Sequence, residues 1–79
     1  MSFYERLANA IIEQAVKDYR QAATTLQRPN LKEKSRISAE KMKRDCERFF
    51  LGNHIKTLTN VDGKYILEKL EEELLISQS

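Results

Sequence analysis

The sequence predicts an all-α fold: a small bundle of three main helices plus one short connecting helix, forming a single helical domain over residues 1–79. Three observations carry this. Apolar residues recur at three- and four-residue steps over long stretches, and no segment shows the alternation of a half-buried strand. The chain also holds only two glycines and one proline, against many Ala, Leu, Glu and Lys. Hydrophobic residues at 41% give it material for a packed core, which separates it from disordered chains of similar charge. That core must be small, because a short chain buries a modest fraction of its surface.

The first helix is expected from Ser2 to about Leu26. Ser2 and Glu5 have the spacing of a capping box, which satisfies N–H groups left unpaired in the first turn. Tyr4, Ala8, Ile11, Ile12, Ala15, Tyr19, Ala22 and Leu26 then form one apolar stripe, with Arg6, Glu13, Lys17 and Arg20 opposite. Pro29 ends the run, since it lacks an N–H and disfavours helix at Arg28.

A second helix is expected from about Leu31 to Leu51, capped by Asn30 with Glu33 in support. Its inner face carries Leu31, Ser35, Ala39, Met42, Cys46, Phe49 and Phe50. Gly52 is expected to stop it in the left-handed conformation, and Asn53 to cap the next segment. One or two helical turns over His54–Leu58 follow, anchored by Ile55 and Leu58. Thr59, Asn60 or Asp62 then caps a final helix over about Val61–Ile76, whose inner stripe is Gly63, Ile66, Leu67, Leu70 and Leu74. Gly63 on that stripe lets a neighbouring helix approach closely.

Charge is unevenly placed. The net value is +2, but residues 28–56 set nine bases against four acids, and residues 57–79 set two bases against five acids. The single cysteine, Cys46, excludes an internal disulfide and fits a reducing compartment. No apolar run has the length of a membrane span, and MSFYER does not lead into a signal-like apolar core, so a cytoplasmic protein is expected.

Residues 10–22, AIIEQAVKDYRQA, and 46–70, CERFFLGNHIKTLTNVDGKYILEKL, carry a resemblance. The matching positions are Asp18, Tyr19 and Arg20; Glu47 to Phe50; and Leu58, Thr59, Val61, Asp62, Gly63, Tyr65, Ile66 and Leu67. In these the chain resembles small helical proteins encoded by phages and prophages of Gram-positive bacteria, a family largely without assigned functions. It departs from them at His54-Ile55, where aromatics are expected. The resemblance implies a mobile-element origin and no enzymatic activity, and it carries over no site.

Residue chemistry points the same way. Cys46 is the only thiol and His54 the only histidine; Cys46 belongs to the apolar stripe, where a thiol is inert. Two N/S ligands cannot close a zinc site. Asn60-Val61-Asp62-Gly63 lacks the later oxygen ligands of a calcium loop. No cofactor, metal or catalytic residue is expected.

The functional candidate is a surface. Lys34, Lys41, Arg44 and Arg48 fall on one face of the second helix, opposite Cys46, with Ile37 among them. Together with Tyr65 they are expected to bind a protein partner, which makes the chain an adaptor, a regulator or an inhibitor of a host factor. The alternatives are a solvated face, its cations paired along the helix with Glu33, Glu40, Asp45 and Glu47, and weak, sequence-tolerant contact with nucleic-acid phosphates through the same cations. Glu68, Glu71, Glu72 and Glu73 count against the last helix as a groove reader. The basic middle and acidic end also suit pairing of two copies as a homodimer.

Overall fold

A computed structural model describes Phe3–Gln78, and side chains from Arg6 to Ile76. It contains α1 (Phe3–Leu26), α2 (Glu33–Leu51), α3 (His54–Leu58) and α4 (Gly63–Gln78), with no strand among the described residues. This is the expected bundle of three long helices and one short one. The capping box of Ser2 and Glu5, and the side chains of Phe3 and Tyr4, lie outside the described residues.

Packing explains the connectivity. α1 and α2 form an antiparallel hairpin, and α3 turns the chain so that α4 runs back along both. The molecule measures 45 × 27 × 20 Å. Tyr19, Phe50 and Ile55 are the most deeply buried large side chains, joined by Ala23, Cys46, Leu67 and Leu70. Phe49 packs edge-on against Phe50, with ring centroids 5.4 Å apart. Val16 and Ala23, absent from the expected stripe of α1, also face this core, whereas Ile11 is partly exposed.

The helix ends correct several expectations. α1 stops where predicted, its last turn tightened by N–H bonds from Gln27 to the Thr24 carbonyl and from Arg28 to that of Thr25. Asn30 does not cap α2. It takes a left-handed conformation, φ 59°, which Asn tolerates better than most residues. The turn after Pro29 thus consumes Asn30 and Leu31, and α2 begins later, at Glu33, with extended Lys32 before it. Ser35, expected inside, is exposed.

Gly52 is not left-handed either: φ is −84° and ψ 179°. Its reason is space, because a Cβ there would stand 2.8 Å from the Arg48 carbonyl oxygen. Asn53 makes no side-chain cap; its backbone carbonyl accepts the Lys56 N–H at 3.2 Å. Of the three candidate caps for the last helix, Asp62 serves. Its Oδ1 accepts the Lys64 N–H at 3.1 Å, while Thr59 Oγ1 accepts the Val61 N–H just upstream. α4 therefore starts at Gly63 rather than Val61.

Gly63 behaves as expected. A Cβ at this position would lie 1.9 Å from the Phe50 carbonyl oxygen and 3.1 Å from Ile55 Cγ2. The start of α4 thus touches the end of α2 backbone to backbone, which sets the register of the two helices.

Candidate partner-binding face

The site is built on α2, whose burial pattern decides its orientation. Ala39, Cys46 and Phe50 are buried, so the opposite side of the helix faces solvent. Lys34, Ile37, Lys41, Arg44 and Arg48 are all exposed there, and Ile37 is 56% exposed. Among the described residues, the two ion pairs join Arg20 to Glu73 and Lys69 to Glu72. Neither uses a cation of the α2 face.

Helical geometry divides these residues into two neighbouring stripes. Lys34, Lys41 and Arg48 recur every seven residues and span about 40° of the helix surface; Ile37, Arg44 and Leu51 form a second stripe of the same kind. The first borders the seam between α1 and α2. Lys34 lines a recess there with Ala22, Thr25 and Ser38, and Lys41 lines the next one with Asp18, Met42 and Asp45. The second stripe turns toward the α4 side, the side on which Lys43 of α2 shares a recess with Glu71 of α4.

Tyr65 does not join this face. It is exposed on α4, with Lys69 Nζ 5.4 Å from its ring centroid. That flank of α4 leads toward α1, where Glu73 receives a fork from Arg20: Nε to Oε2 at 3.0 Å and Nη2 to Oε1 at 2.9 Å. Spacing along each helix placed Tyr65 outward correctly, yet the direction of one outward face relative to another depends on tertiary packing.

The remaining reactive groups are held in the structure. Cys46 is buried, and burial, with Asp18, Asp45 and Glu47 nearby, pushes its thiol above the ordinary range. The His54 ring stands outside, edge-on to Phe49 with centroids 6.1 Å apart. Tyr19 has its phenol pushed up to about 12, first by burial and then by Glu71 and Glu47. No group of three or more His, Cys, Asp or Glu among the described residues is arranged to hold a metal ion. Likewise, no helix among them is long and apolar enough to cross a membrane.

No family model, curated protein or solved structure matches this chain.

Proposed function

We propose that this is a phage or prophage accessory protein of a Gram-positive host that acts without catalysis, by binding another protein. An adaptor, a regulator and an inhibitor of a host factor all work stoichiometrically, and all need an accessible surface. One observation carries the reading: the outward face of α2 presents Lys34, Lys41, Arg44 and Arg48, exposed, around the half-exposed side chain of Ile37. A cationic face steers an acidic partner toward encounter, while an apolar residue within it supplies area that gains by leaving water.

The test is capture from host lysate by the immobilised protein, alongside the double variant Lys41→Glu, Arg48→Glu. A partner retained at a fixed ratio by the native protein and lost by the variant, with the melting temperature unchanged, supports the reading. Capture that ignores both substitutions refutes it. Binding to duplex DNA instead, with log affinity falling against log salt at a slope of about −3 to −4, would reassign the four cations to phosphate.

A further inference from the structure

Four of the exposed apolar residues share a seven-residue spacing with a charge midway. Among the described residues, the exposed large hydrophobics include Ile37 and Leu51 on α2, Val61 before α4 and Leu75 on α4, the last 68% exposed. On α2, Arg44 stands midway between Ile37 and Leu51; in the last segment, Glu68 stands midway between Val61 and Leu75. Ile37, Arg44 and Leu51 on α2, and Glu68 and Leu75 on α4, are spaced by seven residues, two helical turns, so each set is nearly straight, and Val61 stands in the turn that leads into α4. One stripe reads apolar, positive, apolar. The other reads apolar, negative, apolar.

Both stripes border the same side of the molecule. Turning around α2 from its buried face toward Lys43 leads past Glu47 and Glu40 to Leu51 and Arg44. Turning around α4 from its buried face toward Glu71 leads on to Leu75 and Glu68, and Lys43, Glu71 and Leu75 line one recess.

The heights also agree. Gly63 abuts Phe50, and Glu71 shares its recess with Lys43, so seven residues back along α2 match eight forward along α4. In that register Arg44 is level with Glu68 and Ile37 with Leu75, each to within one or two residues, or about 1.5–3 Å, and Leu51 lies at the level of the turn that holds Val61.

We propose that this flank joins two copies of the chain around a two-fold axis running along the bundle. Such an axis keeps every residue at its own height and lays α2 of one copy antiparallel on α4 of the other. Ile37 then meets Leu75, Arg44 meets Glu68 and Leu51 meets Val61, and symmetry makes every contact twice. The three pairings need no sliding of one copy on the other, because the internal register already aligns them.

The stripes are about 21 Å long and two helix widths across, on the order of 400 Å² of flat footprint per copy. That is small for a specific interface, so the dimer is a weak and dissociable one. It goes beyond the partner-binding reading: it draws Arg44 and Ile37 of that face into the dimer and leaves Lys34, Lys41 and Arg48 free on the other flank of α2.

Sedimentation equilibrium of the full chain over about 1 µM to 1 mM tests it. A reversible monomer–dimer equilibrium is expected. Arg44→Glu or Glu68→Arg alone should raise the dissociation constant about tenfold or more, and combining them should restore it to within about threefold. Leu75→Ser, an exposed change that spares the core, should weaken the dimer in the same way. As a second readout, mixing Ile37→Cys protein with Leu75→Cys protein under mild oxidation should give a mixed disulfide dimer. A monomer throughout the range overturns the proposal, as does a charge swap that fails to rescue. Lys41→Glu with Arg48→Glu should leave self-association unchanged, so loss of partner capture and loss of dimer are read separately.

Discussion

Replacing Gly63 by alanine tests the helix register directly. The new Cβ would stand 1.9 Å from the Phe50 carbonyl oxygen and 2.8 Å from its carbonyl carbon. Side-chain neighbours can rotate away, but these atoms belong to the backbone at the end of α2, so α4 itself must move. Alanine favours helix over glycine by at most about 1 kcal/mol, and less in a first turn. Overpacking against a fixed wall costs typically 1–3 kcal/mol, and a shift of α4 would also loosen Leu67 and Leu70 from the core. A net loss of about 2–3 kcal/mol is expected, from a total of roughly 4–12 kcal/mol for a domain of this length. At about 4–8 °C per kcal/mol, the melting temperature should fall by roughly 10–20 °C. Circular dichroism at the helical minimum, with heat and with urea, measures it. A Gly63→Ala protein as stable as the parent would refute the close approach of α4 to α2 and the register derived from it.

Three further outcomes follow from the core. Phe50→Ala removes one of the most buried side chains and should cost about 3–5 kcal/mol, enough to leave the domain largely unfolded at 37 °C by circular dichroism. Tyr19 is a pH probe: its phenol titrates near 12 in the folded state against an ordinary 10.0, so the protonated form is favoured by folding. The stability it contributes is complete below pH 10 and falls as pH rises from 10 to 12, by on the order of 2–3 kcal/mol in all, and urea melts of Tyr19→Phe should lack that extra alkaline loss. Cys46 should react slowly with a thiol reagent in the native protein and rapidly in denaturant, and fast native labelling would place it outside the core.

Much of this architecture is readable from the residues because local patterning and tertiary packing agree. Cys46, Phe50, Leu67 and Leu70 sit on stripes of helical period, and these positions became core. The short helix at His54–Leu58 was likewise legible, since Gly52 and Thr59 bracket it. Helix ends were less so. Asn30 and Asn53 are good capping residues by type, yet one bends the chain after Pro29 and the other offers only its backbone carbonyl. Asp62 and Asn60 have similar capping strength, and only the contact of Gly63 with Phe50 decides where α4 begins. The outward position of the α2 cations was also legible, being the complement of the buried stripe. The separation of Tyr65 from them was not, because it depends on which flank of α4 turns toward α1.

The complementarity between Ile37–Arg44–Leu51 and Val61–Glu68–Leu75 belongs to that second class. Each triplet is visible in the sequence as a heptad, but alone it is an ordinary solvated stripe of one charge and two apolar residues. It acquires meaning only when the two are placed at equal heights, and the backbone contact at Gly63 does this. A slip of α4 by a single residue would turn it by about 100° and carry Glu68 away from the flank it shares with Leu51 and Arg44. Substitution at a buried glycine should then weaken self-association as well as folding, though no residue of the proposed interface has changed. The Gly63→Ala variant, kept folded in moderate stabilising salt, separates the two effects. Dimerisation lost in a fully helical protein would trace the interface to the register, whereas dimerisation retained would show that α4 can yield without sliding.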